Sequence, residues 1–299
     1  MSRVFLLLSV CFFFLENLFG QEQQQSLPGV EQVSSKRTNY NLEEIKVRWK
    51  KAALENCAGV PCVVTPPFTC GTSTVSDYDG NSYNTVSIGS QCWLKENLKV
   101  SKYNDGTLIG DSTNSTWGTA LIGARTGYDV TVVPMSDYVG TFGYLYNWYA
   151  VNDSRKLCPT GWHVPTDSDW NIMLQTLDPS AVIINSGNFL SFSADQSTTA
   201  GTLMKSTTTN TTAGSGLGWD PASPPSPGTN TSGFSALPAG YRAHNGNFFS
   251  LRRRTSFWSA NEYDSTPDAV YRDLGLSNGN VYRDGQSKTF GASVRCLRD

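Results

Sequence analysis

The stretch LCPTGWHVPTDSDWNIMLQTLDP, residues 157–179, is the part of the chain that decides the fold. Its first half holds Pro159, Gly161 and Pro165. Proline has a fixed φ and no N–H, and glycine next to it favours turns, so this half is kept out of a helix. The second half, in contrast, predicts a helix with a defined beginning and end.

Thr166 can accept a backbone N–H as an N-cap, and Asp169, three residues later, completes a capping-box pattern. Asp167 and Asp169 also put negative charge at the positive end of the helix dipole. Pro179 ends the helix. Its apolar positions recur at i, i+3, i+4 and i+7, which predicts one buried face: Trp170, Met173, Leu174 and Leu177. The stretch therefore predicts a framework helix that covers a sheet.

The composition surrounding this helix is typical of a loop-rich β protein. The 299 residues include 27 Gly, 13 Tyr, 14 Phe and 8 Trp, and only 16% are charged. Such a mixture predicts short strands and many turns. The net charge of −2 argues against a nucleic-acid partner, which requires a basic face.

Residues 1–20 are expected to be a secretory signal: Arg3 supplies the positive start, residues 4–15 are largely apolar, and Gly20 is a small residue for cleavage. The apolar run is too short to cross a bilayer, and no later stretch predicts a transmembrane segment in the mature chain. Cys11 follows Val10, where a lipoprotein signal would carry Gly or Ala, so lipidation is the less favoured alternative.

Six cysteines remain beyond the signal: Cys57, Cys62, Cys70, Cys92, Cys158 and Cys296. An even number in an exported chain predicts three disulfides, for which fifteen pairings exist. The absence of a C-x2-C pair and the presence of only two histidines argue against a zinc site.

Residues 21–69 are expected to precede the main domain, which spans 70–299. Residues 21–35 are polar and Gln-rich, as in a disordered leader. Residues 40–54 predict a short helix that docks either on the domain or on another protein; its apolar stripe is Leu42, Ile45, Trp49 and Ala53. A linker rich in proline and cysteine follows.

Turn signals divide the main domain into hairpins. Asp79-Gly80 precedes a strand at 83–88, Asn245-Gly246 is the strongest two-residue turn, and 277–279 predicts a third turn. Residues 289–297 alternate as a half-buried closing strand would. Asp77-x-Asp79-Gly80-Asn81 superficially resembles a calcium loop, but a plain turn is favoured because the further acidic ligands are missing.

Six sequence blocks, taken in order, resemble one family. They are GNSYNTVSIGSQCWLKENL, GYLYNWYAV, CPTGWHVPTDSDW, GFSALPAGYR, FWSANEYD and GASVRCLRD. The combination resembles the Fibrobacter succinogenes major paralogous domain, over about residues 70–299. That resemblance implies an exported or surface protein of Bacteroidetes-type bacteria, and no activity is established for the family as a whole.

A more distant similarity concerns the fold. Residues 161–170, GWHVPTxxxW, and 291–296, GASVRC, are similar to the main helix entry and the closing strand of the C-type-lectin-like superfamily, which includes formylglycine-generating enzymes. The resemblance implies an α+β fold with two helices, short antiparallel hairpins, long loops and paired terminal strands. It also implies three disulfides: Cys158–Cys296, with Cys70–Cys92 and Cys57–Cys62 completing the set.

The sequence gives little support to an enzymatic function, and it indicates neither a cofactor nor a metal. His163 is expected to be packed or capped, and His244 lies in a turn. No G-x-S-x-G string is present. Formylglycine chemistry requires reactive cysteines, and Cys296 is better read as a disulfide partner. The Glu-Pro-Asn, Gln-Pro-Asp and Trp-Asn-Asp strings of calcium-dependent lectins do not occur.

A binding surface is predicted on the late hairpins. Tyrosine and tryptophan give contact area, and asparagine and arginine give adaptable hydrogen bonds. The opposing interpretation is that half of these side chains alternate into the core. The candidates are Tyr241, Arg242, Trp258, Asn261, Tyr263, Tyr271, Arg272, Asn278, Asn280, Tyr282 and Arg283. Residues 252–254, three arginines, are either a contact for an acidic glycan or lipid phosphate, or a solvated loop.

The sequence thus leads to an exported, non-catalytic binding module for a glycan or an envelope protein. The alternative is an accessory subunit of an outer-membrane assembly, docked through the 40–54 helix. A degenerate enzyme of the formylglycine type is the third, minor hypothesis. A concave patch over the late hairpins would favour ligand recognition, whereas an exposed apolar stripe on the helix would favour assembly.

Overall fold

A computed structural model describes residues 67–111, 116–128, 138–184, 194–207, 218–220, 228–263 and 267–299. The chain divides into two units, Met1–Pro66 and Pro67–Asp299. The predicted signal, the leader, the 40–54 helix and the Cys57–Cys62 pair lie outside the described residues. The account that follows concerns the second unit.

The described strands are mostly short. They are β1 Thr74–Ser76, β2 Ser82–Ile88, β3 Gln91–Leu94, β4 Gly110–Asp111, β5 Ala124–Thr126, β6 Leu145–Tyr146, β7 Trp162–His163, β8 Ala194–Ser197, β9 Tyr241–Arg242, β10 Phe248–Phe249, β11 Arg254–Glu262, β12 Asp268–Gly275, β13 Val281–Ser287 and β14 Leu297–Arg298. The helices are α1 Tyr138–Phe142, α2 Trp148–Val151, α3 Asp167–Leu177 and α4 Ala200–Met204, with one 3-10 turn at Trp117–Thr119.

The described strands form four sheets. The orders are β1-β2-β3-β14-β7, β11-β12-β13-β8, β4-β5-β6 and β10-β9. All pairs are antiparallel except β4 with β5. The part of the chain that is described is therefore mostly β with four helices, whereas two helices were expected. The three helices other than α3 are only four or five residues long, too short to show a 3.6-residue repeat.

The predicted hairpins are confirmed. Asp79-Gly80 joins β1 to β2, Asn245-Gly246 joins β9 to β10, and the turn at 277–279 joins β12 to β13. Asp77 closes the first turn by accepting hydrogen bonds from the backbone N–H groups of Asp79 and Asn81, at 3.0 and 2.9 Å. This is the plain turn that the sequence favoured.

The framework helix α3 also has the predicted form. Thr166 is its N-cap and forms a capping box with Asp169, whose carboxylate accepts the Thr166 N–H at 2.8 Å. Three of the four predicted apolar side chains are fully buried and the fourth is partly buried. They pack in one cluster with residues of β2, β3, β11 and β12: Ile88, Trp93, Phe257 and Leu274.

The closing segment differs from the alternating strand that was predicted. Every residue from 289 to 297 is buried, and only Leu297–Arg298 forms a strand, β14, between β3 and β7. Before it, Gly291, Ala292 and Ser293 make isolated bridges to Arg242, Tyr146 and Phe257, respectively. The segment contacts elements on both of its sides, so neither side is left for solvent. The terminal strands share one sheet, but β14 pairs with β3 and β7 and not with β1.

Two of the three implied disulfides are confirmed. Cys70 is bonded to Cys92, and Cys158 to Cys296. The second bond joins the segment ahead of α3 to the closing segment, 138 residues away in sequence. It therefore fixes the longest loop among the described cross-links.

A buried ion cluster fixes the start of α3 against the four-stranded sheet. The Asp167 carboxylate pairs with Arg272 of β12 and Arg283 of β13, and the closest Arg283 contact is Nη2 to Oδ2 at 2.8 Å. Burial opposes ionisation of Asp167, but its hydrogen bonds with Arg283 and the charges of both arginines outweigh burial and lower its pKa. The Asp167 N–H donates to Asn261 Oδ1 at 2.7 Å, which adds β11 to the same junction.

Substitution Asp167→Asn is expected to destabilise the domain by about 3–5 kcal/mol, because it leaves two buried guanidinium groups without a charge partner. Asp111→Asn is the control, since that carboxylate is exposed and lies 3.9 Å from Arg125; its pair contributes about 0–1 kcal/mol. The free energies of unfolding come from urea titrations. Equal losses in the two variants would contradict this account.

Double replacement of each disulfide by alanine is expected to cost different amounts. Loop entropy gives about 5 kcal/mol for Cys158–Cys296 and about 3 kcal/mol for Cys70–Cys92, from their separations of 138 and 22 residues. Thermal and urea unfolding of the two double variants test the order. A larger loss for the Cys70/Cys92 variant would show that native contacts, and not loop closure, dominate.

Candidate functional site

The structure separates the eleven predicted ligand contacts into two groups. Five of them are buried, which corrects the expectation that all eleven share one exposed surface: Arg242, Trp258, Tyr271, Arg272 and Arg283. The other six are at least partly exposed: Tyr241, Asn261, Tyr263, Asn278, Asn280 and Tyr282. Alternation along β13 separates buried Arg283 from partly exposed Tyr282, whereas neighbouring Tyr271 and Arg272 of β12 are both buried.

The buried five take part in packing. Arg272 and Arg283 are cross-strand partners on the sheet face that meets α3, where they hold Asp167. Trp258 donates its indole N–H to the Tyr146 carbonyl at 2.7 Å. Tyr271 and Trp258 each lie 5.9 Å from the Phe290 ring. The Arg242 guanidinium covers the Trp117 ring at 4.3 Å.

Three of the exposed candidates line one cleft of about 600 Å³: Asn278, Asn280 and Tyr282. Its remaining wall is formed by Asp195, Ser250, Arg253, Arg254, Asp273, Gly275, Leu276 and Ser277. Tyr241, Asn261 and Tyr263 do not contribute to this wall. The cleft therefore lies over the late hairpins, and it includes part of the predicted surface.

Strand register explains why these side chains meet. Asp273 is the partner of Tyr282, and Tyr282 is in turn the partner of Asp195, so the three side chains point to the same sheet face. Trp258 and Tyr271 are paired further along that face and lie under Phe290. One half of the face thus belongs to the core, and the other half is the floor of the cleft.

The turn between β12 and β13 is held from behind by α4. The Gly201 N–H donates to the Gly279 carbonyl at 2.9 Å. A Cβ on Gly201 would lie 2.5 Å from the Asn280 carbonyl oxygen, so glycine is required for this close approach. The Lys205 ammonium donates to the carbonyls of Gly275 and Asn278, at 3.1 and 2.7 Å. Burial lowers the pKa of Lys205 to about 8.

The charged groups of the cleft are unequally satisfied. Asp273 binds Arg254 at 2.7 Å and Ser256 at 2.7 Å, and burial raises its pKa despite these contacts. Asp195 accepts from the Asn280 amide at 2.7 Å. The exposed Arg253 guanidinium forms no side-chain hydrogen bond or ion pair within the described ranges. The cleft therefore presents amide, hydroxyl and carboxylate groups together with one available cation.

Sequence reasoning missed the aspartates of this wall. Asp195 belongs to β8, for which the sequence analysis predicted no strand, and it lies 87 residues from Tyr282, its register partner. Asp273 alternates with Arg272, but both faces of β12 are buried over most of its length, so periodicity gave no signal. Arg253 had been noted only as part of the three-arginine run.

The two kinds of side chain that could hold a metal or exchange a proton, carboxylates and histidines, are already engaged around His163. The described residues contain no group of three or more His, Cys, Asp or Glu side chains placed to hold a metal. His163 lies at the end of β7, and its Nδ1 contacts Asp299 Oδ1 at 2.6 Å. Its Nε2 lies 3.4 Å from Asp169 Oδ2. His163 is thus engaged by the helix cap and by the end of the closing segment.

The described unit is a disulfide-linked, mostly β domain with a polar cleft on one sheet face. The sequence profile of the Fibrobacter succinogenes major domain matches residues 86–298. The chain therefore belongs to that family, as its sequence blocks had indicated. No curated protein and no solved structure matched the chain. Within the described residues, every helix is too short or too polar to cross a bilayer.

The contribution of His163 to stability is expected to depend on pH. Its hydrogen bond to Asp169, followed by that to Asp299, raises the pKa of His163 in the folded state above its ordinary value. The contribution is therefore complete below about pH 6.5 and is lost as pH rises through the folded pKa.

The measurement is the difference in unfolding free energy between the native chain and His163→Gln, from pH 5.5 to 8. We expect it to shrink by less than about 1 kcal/mol, because the imidazole is 38% exposed and screened by solvent. His244→Gln, in the exposed turn, is the control. A difference that is constant over this range would refute the assignment.

Proposed function

We propose that this protein is an exported, non-catalytic recognition module that binds a glycan in the cleft over its late hairpins. The observation that carries the proposal is the position of Tyr282. Its side chain is partly exposed in the wall of the cleft, between Asp273 and Asp195 and beside Asn280. Tyrosine offers a flat apolar face and a hydroxyl together, and the neighbouring amides and charges offer hydrogen bonds to sugar hydroxyls.

The size of the cleft supports a glycan over a partner protein. A volume of about 600 Å³ lies within the range of about 300–1,000 Å³ that is typical of small-ligand sites. A stable protein partner requires about 800 Å² from each side. The carboxylates of Asp273 and Asp195 are already occupied by Arg254, Ser256 and Asn280, which supports binding rather than acid–base chemistry.

Export is supported by two features. Residues 1–20 have the pattern of a secretory signal, and the described domain contains two disulfides, which persist in oxidising compartments. We place the module at the cell surface or in the periplasm.

The fold that we propose is a variant of the C-type-lectin-like architecture. Its support is threefold: the capped helix α3, the closing strand β14 in one sheet with β3 and β7, and the Cys158–Cys296 bond between them.

An accessory role in an outer-membrane assembly is the second candidate. Three large apolar side chains are strongly exposed near β4 and β5, which favours a protein contact: Leu108, Leu121 and Ile122. In this alternative, the 40–54 helix supplies a further contact.

The test is retention of the full chain on immobilised envelope polysaccharides, compared with Tyr282→Ala and Arg253→Gln. Each variant is expected to bind roughly tenfold more weakly, because it loses a contact of about 1.5 kcal/mol. Tyr78→Ala is the matched control, since Tyr78 is an exposed tyrosine outside the cleft. Melting temperatures verify that all variants are folded.

Two results would overturn the proposal. One is equal retention of the native chain and both cleft variants. The other is an absence of polysaccharide retention together with capture of an envelope protein that survives both cleft substitutions but is lost in Leu121→Ser with Ile122→Ser. That second result would establish the assembly role.

A further inference from the structure

A second cavity, of about 220 Å³, lies where five separate segments meet. Its lining residues include Lys95, Glu96, Ser206, Asn230, Ser235 and Arg295. None of them contributes to the wall of the cleft. Lys95 follows β3, Ser206 follows α4, and Arg295 belongs to the closing segment, so the cavity is built by the fold and not by one loop.

Arg295 is a buried cation whose hydrogen-bond partners are all neutral. Its side chain donates to Asn97 Oδ1 at 2.6 Å and to the carbonyls of Phe234, Leu94 and Ser235, at 2.6, 3.2 and 3.3 Å. No carboxylate contacts it within the described residues. Burial lowers the pKa of Arg295 to about 9.

Glu96 also lines this cavity, and its charge offsets part of the effect of burial on the pKa of Arg295, but its carboxylate is hydrogen-bonded elsewhere. Glu96 accepts hydrogen bonds from the Asn84 backbone N–H and side-chain amide, both at 2.8 Å. Both of its oxygens are therefore used on β2. A buried charge is normally compensated by a charge of opposite sign, and here no protein carboxylate in the described ranges contacts Arg295.

Two further donor residues line the same cavity. The Ser206 side chain is 5% exposed, and its buried hydroxyl has no hydrogen-bond partner. Native interiors seldom leave such a group unsatisfied. Lys95 is half-buried and forms no ion pair in the part of the chain that is described. The Arg295 Nη2 group carries two hydrogens and uses one described acceptor, the Ser235 carbonyl.

We propose that this cavity is a binding site for a small oxyanion, such as sulfate, phosphate or a carboxylate. Arg295 and Lys95 supply the opposing charge, the Ser206 hydroxyl donates one hydrogen bond, and the free Nη2 hydrogen of Arg295 donates another. A volume of 220 Å³ is below the range of drug-sized sites, so it suits a small ion or a single charged substituent. The site is independent of the glycan cleft.

The experiment is a titration of the full chain with sodium sulfate by calorimetry and by thermal shift, at constant ionic strength set with sodium chloride. Sulfate is expected to raise the melting temperature in a saturable manner. Lys95→Gln and Ser206→Ala are each expected to weaken sulfate binding roughly tenfold or more. Without sulfate, Ser206→Ala should melt no lower than the native chain, because its hydroxyl has no protein partner.

Lys99→Gln is the matched control. Lys99 is half-buried like Lys95 and lies four residues further along, but it does not line the cavity. It is expected to bind sulfate as the native chain does. Two results would overturn the proposal: chloride and sulfate acting alike on the native chain, or binding that is unchanged in both cavity variants.

Comparing the binding of two ligands identifies the source of the anion. Inorganic sulfate alone would indicate a free ion, and glucose 6-sulfate binding more tightly than inorganic sulfate would indicate a charged sugar substituent. Unsulfated glucose is the negative control for both. Polysaccharide retention in the cleft does not enter this titration, so the two proposals stand or fall separately.

Discussion

The pairing of one buried carboxylate with two buried arginines is the constraint on which the rest of the domain depends. Asp167 occupies the first turn of α3, and Arg272 and Arg283 project from adjacent strands of the four-stranded sheet. Three buried charges cannot tolerate a shift of helix or strand, because a displaced guanidinium would lose its partner without regaining water. The cluster therefore fixes the position of the start of α3 along the strands of the sheet.

That fixed position determines what the opposite sheet face can do. Since Arg272 and Arg283 point towards α3, their neighbours Asp273 and Tyr282 must point away from it. Phe290 in the closing segment covers Trp258 and Tyr271 on that outer face, and the remainder stays open as the cleft. The closing segment is held by the Cys158–Cys296 bond, so the boundary between core and cleft depends on the disulfide as well.

Local patterns in the sequence were sufficient to predict α3 and the three hairpin turns. The capping box at Thr166 and the turn dipeptides depend only on nearby residues, and the structure confirms them. The placement of side chains was harder to predict. Along β12 six consecutive residues are buried, so no alternation reveals which face meets α3. The absence of alternation along β12 is also why Asp273 was not predicted as a cleft residue. Asp195 was not predicted because the sequence of β8 has no strand pattern.

Buried basic residues are the feature that sequence reasoning treated least well, since arginine was counted as a surface residue. The groups that contact each buried basic residue indicate its structural role. Arg272 and Arg283 share a carboxylate and act in packing, whereas Lys205 donates to turn carbonyls and supports the cleft from behind. Arg295 differs from Arg272 and Arg283 because no carboxylate of the described residues contacts its guanidinium, and from Lys205 because it lines the 220 Å³ cavity. Burying a cation in this way costs free energy unless an anion from outside the chain pairs with it. The cavity beside Arg295, which also has an unsatisfied serine hydroxyl, is where such an anion would bind.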